Sequence, residues 1–420
     1  MRCKTHTLLV LLIIGLGLAA CQSVNQEYLK NFEVVWQTVN DTFPDPTFGG
    51  VNWKAVHDRY RPLIGAAKND EEFFLTLNRM LRELNASHAV VMPNQSLGNL
   101  DRAFAEGDIG IDVRLIDGEI VITRVKPSSP ADQAGLRLGD IIQGVDGVTV
   151  QQIVEGDKAL QTPPHNDSAD AASRAMSVLL RTYGQPGTKV SIVYHNDQGE
   201  RQVELVRAPR EGKSVLVEGV PPGFLEVKSK RLANDIGYVR FNRFDPALLD
   251  RLLAAVDEQA DAAGVIIDIR GNDGGFFEVR KALLERLVRE RVLFWRQEGR
   301  RGVDEIYLEP AATAYGGSVV VLVDELSASS SEEFAGGLQA IGRAVIVGNR
   351  TPGKVLIADF TQLPNGATFV YPVAVTRLAD GTVLEGRGVI PDIQVALDRT
   401  LLLQGRDSQL EAAINYLKQR

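Results

Sequence analysis

The sequence predicts a multidomain α/β (α+β) protein, in which a helical N-terminal region, a β-rich middle and an α/β core follow one another. Apolar residues recur at helical spacing between about 26 and 95, and short β-like runs begin near 103. From about 222 onward, buried strands alternate with helices. The chain has 420 residues, of which 44% are hydrophobic and 24% are charged, so it is long enough for two or three globular domains.

The first twenty residues read as an export signal and not as part of the fold. Arg2 and Lys4 precede an apolar run, residues 8–20, that is too short to span a bilayer. Leu18-Ala19-Ala20-Cys21 resembles a bacterial lipobox, which would make Cys21 a lipidated N-terminus. The alternative is an ordinary signal peptide with an incidental cysteine. Gln22 in place of aspartate favours the outer membrane, with the protein facing the periplasm.

The helical region, residues 21–99, shows two apolar stripes. The first stripe begins near Tyr28, and the second runs from Phe73 to Leu84 after Asp70, which is predicted to cap that helix. Stripes of this kind are more often core than cofactor site, so we expect no chemistry here. His88, just beyond the second helix, is interpreted as a capping or packing residue.

The middle region, residues 100–210, resembles a bacterial PDZ domain. A β run at Ile109-Gly110-Ile111 leads to a second run at residues 119–125, and a short helix capped by Ser129 ends at Gly135. A Leu-Gly-Asp strand, a helix near 169–183 and a closing hairpin follow. The resemblance implies that Ile109, Gly110 and Ile111 line a groove that binds an extended C-terminal peptide. The alternative is a PDZ fold used only as a spacer or lid.

The α/β core, residues 211–420, places two polar turns after buried strands, where an α/β fold usually carries its active site. The first turn is Arg270-Gly271-Asn272-Asp273-Gly274-Gly275, whose glycines let backbone amides approach a ligand. The second is the serine-rich run from Ser327 to Ser331, followed by Glu332 at a helix start. That run suits a helix cap, and it also suits a nucleophile beside a helix dipole.

A serine nucleophile needs a base, and in the α/β core the sequence offers Lys354. No histidine occurs from Arg210 onward, so a histidine triad built within the core is excluded. Lys354 lies in a glycine turn beside apolar runs, where burial would lower its pKa and make it a usable base. The alternative is a surface lysine in a β-turn. A nucleotide P-loop is rejected, because Val355 follows the lysine and Val355-Leu356-Ile357 reads as a strand where a P-loop needs a helix.

The two turns together resemble the carboxy-terminal processing (tail-specific) serine protease family. Ser327-Ala328-Ser329-Ser330-Ser331-Glu332 matches its nucleophile stretch, and Thr351-Pro352-Gly353-Lys354 places the lysine twenty-five residues after Ser329. Asp268 to Gly275 matches the family's glycine turn, and Gly386 to Asp392 matches a late Gly-x-Gly-Val-x-Pro-Asp element. The resemblance covers nearly all of the chain after the signal and implies an α/β spiral protease core.

The resemblance implies a serine endopeptidase with Ser329 and Lys354 as the catalytic pair. The amide of Ser330, with one from Gly274 or Gly275, would form the oxyanion hole. No cofactor and no metal are implied. The implied partners are protein or peptide substrates with accessible C-termini, the membrane through Cys21, and an adaptor or activator of unknown identity. A net charge of -8 without a basic cluster argues against nucleic acid.

Several departures from the family pattern keep other functions open. The family's third polar residue would stand at Ala340 or Ala358, and Val355 replaces a glycine. Ser330 replaces an alanine, so Ser331 stays a second candidate for the nucleophile. The alternative function is a catalytically inactive peptide-binding or scaffold lipoprotein of the same fold. A third possibility is a small-ligand binder on the same core.

Overall fold

The computed structural model describes residues 25–93, 105–158, 166–214 and 223–420. The predicted signal peptide 1–20 and the lipidation site Cys21 lie outside these residues, so both stay predictions. The domain boundaries at 99 and 210 also stay predictions. The predicted fold class is confirmed, because N-terminal helices, a PDZ-like β domain and an α/β core follow in the expected order.

The N-terminal region consists of three helices that share a core with strands from the end of the chain. Helix α1 spans residues 25–42, α2 spans Trp53–Gly65 and α3 spans Asp70–Arg82. Asn69, and not Asp70 as predicted, caps α3, because its side chain accepts the Glu72 N–H at 2.9 Å. The three helices pack on Leu356, Leu363 and Phe369.

An antiparallel sheet lies between these helices and the core. Its strands are β1 (Val90–Met92), β15 (Val292–Gly299), β16 (Gly302–Leu308), β19 (Ile357–Gln362) and β20 (Thr368–Leu378). Strand β20 is central, with β1, β15 and β19 antiparallel to it. The loop between α3 and β1 is thereby held against the C-terminal half of the chain.

The PDZ-like domain is a β sheet with one long helix along its edge. The sheet contains β3 (Ile111–Ile116), β4 (Glu119–Val125), β5 (Ile141–Val145), β6 (Val148–Thr149), β7 (Lys189–Asn196) and β8 (Gly199–Val206). Three helices accompany it, namely α4 (Pro130–Gln133), α5 (Val150–Lys158) and α6 (Asp167–Thr182). Ser129 caps α4 and Gly135 ends it with a φ of 81°, both as predicted. Strand β3 is an edge of the sheet, and α6 packs alongside it through Ala175, Val178 and Leu179.

Short two-stranded pairs join the PDZ-like domain to the core. They are β2 (Gly107–Asp108) with β9 (Ala208–Pro209), and β10 (Lys213–Ser214) with β11 (Gly223–Phe224).

The α/β core is a six-stranded sheet covered by helices on both faces. Its strands, in spatial order, are β12 (Val227–Leu232), β13 (Ile236–Phe241), β14 (Gly264–Asp268), β17 (Ser318–Val323), β18 (Ala344–Gly348) and β21 (Ile393–Gln394). All neighbours are parallel except β12 and β13. Helices α7 (Leu249–Asp257), α8 (Phe277–Glu285) and α9 (Ser330–Ala340) cover one face. Helix α11 (Ser408–Leu417) covers the other, and α10 (Arg399–Leu403) packs on the PDZ-like domain.

This topology brings the two predicted turns together. Strands β14 and β17 are adjacent and parallel, so the glycine turn after β14 and the serine turn after β17 emerge at the same edge of the sheet.

Candidate active site

The glycine turn after β14 is fixed by a buried carboxylate. Asp268 is fully buried and pairs with Arg270 at 2.7 Å and with Arg240 at 3.1 Å. Burial alone would raise the pKa of Asp268, but the two guanidinium groups hold it well below its usual range. Gly275 has a φ of 133°, and a Cβ there would lie 2.2 Å from the Phe244 carbonyl oxygen, so only glycine fits.

Of the four serines in the second turn, Ser329 differs from the others. Ser327, Ser330 and Ser331 are buried, and their hydroxyls donate to the carbonyls of Ile269, Gly275 and Asn272 at 2.7 to 2.9 Å. Ser329 is only half-buried. Ser331, which the sequence left open as a nucleophile, is therefore a structural side chain.

Ser329 also has an uncommon backbone conformation. Its φ of 56° and ψ of −120° lie in a region that residues other than glycine rarely adopt, at an expected cost of about 1–3 kcal/mol. Such strain at the residue that precedes a helix is the geometry by which hydrolases expose a nucleophile at a strand-to-helix turn. The Ser329 N–H donates to the Lys354 carbonyl at 3.0 Å, which brings the predicted pair into direct backbone contact.

A second buried carboxylate, Glu332, ties the lysine loop to the start of α9. It accepts the Thr351 hydroxyl at 2.5 Å and the N–H groups of Gly353 and Lys354 at 2.7 and 2.8 Å. It also accepts the Ser329 N–H at 3.2 Å. Burial raises the pKa of Glu332 to about 7, although these hydrogen bonds oppose the rise.

The prediction that Val355 and Leu356 belong to a strand is wrong. Strand β19 begins at Ile357, because the carboxylate of Glu385 takes the N–H groups of Val355 and Leu356 at 2.8 and 3.2 Å. These amides are therefore not available to a sheet. No helix follows the lysine either, so the rejection of a P-loop holds.

The late Gly-x-Gly-Val-x-Pro-Asp element encloses the lysine loop. Gly386 donates its N–H to the Gly353 carbonyl at 2.9 Å, and Val389 donates to the Thr351 hydroxyl oxygen at 2.7 Å. Gly388 has a φ of 70°, and a Cβ there would lie 2.2 Å from the Thr351 carbonyl oxygen. The hydrogen bonds from this motif therefore fix the backbone of the loop that contains Lys354.

Lys354 itself is half-buried at the site. Burial lowers the pKa of its amine, and the carboxylates of Glu332 and Glu385 oppose that shift. Within the described residues the amine forms no ion pair. Ala340 and Ala358 provide no polar group, as the sequence indicated, but Glu385 supplies a carboxylate beside the lysine.

His88, which the sequence analysis interprets as a capping or packing residue, lies close to Glu385 and Lys354. The loop after α3 carries Ser87 and His88 to Glu385 and Lys354. The carboxylate of Glu385 accepts the Ser87 N–H at 2.8 Å and the Ser87 hydroxyl at 2.9 Å. His88 Nδ1 lies 2.9 Å from the Ser87 hydroxyl oxygen. The N-terminal helical region therefore contributes groups to the site, contrary to the expectation.

The hydrogen bonds of Ser87 assign the tautomer of His88. A carboxylate can only accept, so the Ser87 hydroxyl donates to Glu385, and its oxygen must accept from His88 Nδ1–H. The Nε2 atom then carries the lone pair. Burial lowers the pKa of His88, and the Lys354 amine lowers it further while Glu385 opposes both effects, so the neutral imidazole predominates at neutral pH.

Two of the three predicted oxyanion amides are available. Gly274 N–H donates to the Asn272 side-chain oxygen at 3.0 Å, so its amide is already engaged. The N–H groups of Ser330 and Gly275 donate no hydrogen bond within the ranges that the structure describes. The structure therefore favours Gly275 over Gly274, and Ser330 stays a candidate.

The predicted peptide groove lies next to the lysine loop. Ile109, Gly110 and Ile111 are buried at the start of β3, and Gly110 has a φ of 80°. Asn166 caps α6, the other wall of the groove. Its side-chain amide donates to the carbonyls of Pro352 and Gly386 at 3.0 and 3.3 Å.

The residues that the structure describes contain neither a candidate membrane span nor a candidate metal centre. Across the described ranges, no helix combines the length and the hydropathy that crossing a bilayer requires. No cluster of three or more histidine, cysteine or acidic side chains there is arranged to hold a metal.

Three family models match the chain. Residues 235–395 match Peptidase family S41, residues 107–205 match the PDZ domain, and residues 24–82 match the Tricorn protease C1 domain. The matched segments correspond to the core, the β-rich middle and the N-terminal helices described above.

Similar proteins include two C-terminal processing proteases. The carboxyl-terminal-processing protease of Synechocystis sp. is 26% identical over 91% of this chain and 85% of its own length. The chloroplastic C-terminal processing peptidase of Tetradesmus obliquus is 27% identical over 89% of this chain and 78% of its own. The solved structure of a photosystem II D1 C-terminal processing protease shares the fold, with a TM-score of 0.59 and 23% sequence identity. The match covers 89% of this chain and 94% of that one. The chain therefore carries a Peptidase family S41 core, a PDZ domain and a Tricorn protease C1 segment, and it is similar over most of its length to C-terminal processing proteases.

Proposed function

We propose that this chain is a serine endopeptidase in which Ser329 is the nucleophile and which cleaves proteins selected through their C-terminal tails. The observation that carries the proposal is the position of Ser329. It is the half-buried serine of its turn, its backbone is strained at the start of α9, and its N–H donates to the Lys354 carbonyl. The imidazole of His88 lies close enough to Lys354 and Glu385 for both to shift its pKa.

The pair predicted from the sequence, Ser329 with Lys354, is one form of this mechanism. The contact between Ser329 N–H and the Lys354 carbonyl supports it, as does the burial that lowers the pKa of the amine. A neutral amine can accept the Ser329 proton, and serine–lysine pairs are an established variant of the triad.

The hydrogen bonds favour His88 as the base. A catalytic base is normally oriented by a third group, and the chain from Glu385 through Ser87 to His88 Nδ1 provides that orientation. Within the described part of the chain, the Lys354 amine has no comparable partner. We therefore assign the proton transfer to His88, with Lys354 as the alternative that the variants below decide.

The reaction follows from these roles. The Ser329 hydroxyl transfers its proton to the base while its oxygen bonds the peptide carbonyl carbon, and the oxyanion forms beside the amides of Ser330 and Gly275. The protonated base then gives its proton to the leaving amine as the C–N bond breaks. Water, deprotonated by the same base, hydrolyses the acyl-enzyme and restores Ser329.

The PDZ-like domain would deliver the substrate. We propose that a C-terminal tail adds a strand to the free edge of β3, with its carboxylate at Ile109, Gly110 and Ile111. The contact of Asn166 with Pro352 and Gly386 supports a short path from this groove to the site.

The test uses anchor-free protein and an unfolded substrate with varied C-termini, with cleavage followed by mass spectrometry. Ser329→Ala should abolish cleavage, whereas Ser229→Ala should not. Full activity in Ser329→Ala would refute the nucleophile. Specific tail binding without turnover in the wild type would favour the inactive peptide-binding lipoprotein.

A second comparison decides the base. If His88 is the base, His88→Ala should reduce kcat by about a thousandfold or more, and Lys354→Met should have a much smaller effect. The wild-type rate should then rise through a pKa below the usual 6.5 of histidine and be level at neutral pH. A rate that still rises at about pH 8, together with an inactive Lys354→Met, would assign the base to Lys354.

We also propose that Cys21 is lipidated and anchors the protein in the cell envelope, facing the periplasm, with the outer membrane favoured by Gln22. Cys21→Ser should move the protein from the membrane fraction to the soluble fraction. An unchanged distribution would contradict the anchor.

A further inference from the structure

The hydroxyl of Ser330 forms two hydrogen bonds that take no part in the proposed reaction steps. It donates to the Gly275 carbonyl at 2.7 Å and accepts from Arg280 Nη1 at 2.8 Å. Ser330 is only 3% exposed, so neither partner can be replaced by water. The residue at this position therefore joins the start of α9 to the glycine turn and to α8.

Arg280 is a fixed donor for this hydroxyl. Its guanidinium pairs with the buried carboxylate of Glu333, which also accepts the hydroxyl of Thr376. The guanidinium carbon lies 4.6 Å from the ring centre of Trp295. Burial lowers the pKa of Arg280 to about 9, which leaves the side chain charged at neutral pH.

We propose that Ser330, held by Arg280, is a positioning residue that sets the separation of the two oxyanion amides, those of Ser330 and Gly275. The proposal rests on the proposed function, because it assigns a role to the same site.

The backbone geometry of the glycine turn explains why the hydrogen bond from Ser330 to the Gly275 carbonyl is needed to hold the Gly275 amide in place. Gly274 and Gly275 have φ values of 104° and 133°, which only glycine adopts readily, and glycine also has the greatest freedom to leave them. Backbone hydrogen bonds tie this turn to Phe244 through the Gly274 carbonyl and the Phe276 N–H. Asn272 bonds to Ala328 and Ser331, but the bond from Ser330 is the one that reaches Gly275 itself.

Removal of the hydroxyl should affect the transition state more than the substrate complex. In Ser330→Ala, the Gly275 carbonyl loses its partner and Arg280 keeps only Glu333. The Gly275 amide can then rotate away from the developing oxyanion. Loss of a whole oxyanion donor costs about 100- to 1,000-fold in kcat, so a displaced donor should cost about 10-fold, with KM unchanged.

The matched control is Ser229→Ala. Ser229 has the same bonding pattern in β12, since its hydroxyl donates to the Ala255 carbonyl at 3.3 Å and accepts from Gln259 at 2.8 Å. Its loss should lower thermal stability to a similar extent without changing kcat.

The experiment measures kcat, KM and inhibition by a peptidyl aldehyde, whose hemiacetal oxygen occupies the oxyanion hole. Ser330→Ala should weaken the binding of the aldehyde by about tenfold, the same factor by which it lowers kcat. The affinity for the cleaved product peptide should stay unchanged. A purely structural role would lower the melting temperature and leave the ratio of aldehyde to product affinity intact, which would overturn the proposal.

A fluorophosphonate probe separates the two possible failures. If wild-type Ser329 neither turns over substrate nor reacts with the probe, the proposed function fails. If the wild type reacts and Ser330→Ala reacts and turns over at the same rate, only the positioning role fails.

Discussion

Replacement of Arg114 by methionine should destabilise the protein by about 3 kcal/mol, because it leaves a buried carboxylate without its counter-ion. Arg114 extends from β3 of the PDZ-like domain and is 5% exposed, and its Nε donates to Asp324 at 2.7 Å. Asp324 is 1% exposed and lies just before the serine turn. This ion pair is therefore a direct link between the PDZ-like domain and the serine turn.

The magnitude follows from the remaining partners of Asp324. Breaking a buried ion pair by removing one member typically costs about 3–5 kcal/mol. Asp324 keeps two backbone donors, Gly271 N–H at 2.9 Å and Leu326 N–H at 3.0 Å, so the lower end applies. Because the same carboxylate orders the turn that leads to Ser329, kcat should fall as well.

The assay is urea denaturation of the anchor-free protein followed by the fluorescence of its tryptophans, one of which, Trp295, is fully buried in the core. A double-mutant cycle with Asp324→Asn should give a coupling energy of about 2 kcal/mol, because asparagine removes the unpaired charge. Arg291→Met breaks the exposed pair with Glu309 and should leave stability unchanged. A loss below about 1 kcal/mol in Arg114→Met would refute the reasoning.

Three further predictions follow from single residues. Ser331→Ala should retain cleavage but lose about 1 kcal/mol of stability, the usual worth of one buried hydrogen bond, as measured by denaturation. Gly275→Ala should abolish cleavage and lower the melting temperature, because its Cβ would collide with Phe244; a normal melting curve would contradict this. The lowered pKa of Asp268 means that its stabilisation is present above about pH 4 and is lost as the pH falls below it, so melting temperatures should drop steeply there.

Much of the fold could be predicted from local patterns. The strand at Ile236–Phe241, the cap at Ser129 and the stop at Gly135 are fixed by residues close in sequence, namely apolar runs, capping side chains and a left-handed glycine. The sequence placed both polar turns after buried strands, and the pairing of β14 with β17, which brings them side by side, comes from the structure.

The missing parts of the site depend on contacts between distant segments. Ser87 and His88 reach Glu385 only because β1 pairs with β20, and no local pattern in the sequence predicts that pairing. The core has no histidine from Arg210 onward, and His88 reaches Glu385 and Lys354 from the N-terminal region. The Ser87-His88 pair lies a few residues beyond the end of α3 at Arg82, and nothing local distinguishes it from a cap.

The start of β19 was misplaced for the same reason. The residues of Val355-Leu356-Ile357 have ordinary strand character, but the amides of the first two are bound by Glu385, thirty residues away from Val355. The periodicity of apolar residues cannot predict a hydrogen bond between a backbone amide and a carboxylate that is distant in sequence.

The central claim is that Ser329 is the nucleophile, and the most direct measurement is peptide mapping of the anchor-free protein after reaction with a fluorophosphonate. The account predicts one adduct on Ser329, lost in Ser329→Ala and strongly slowed in His88→Ala. An adduct on Ser331 or on another serine, or no reaction in an enzyme that still cleaves protein, would contradict it.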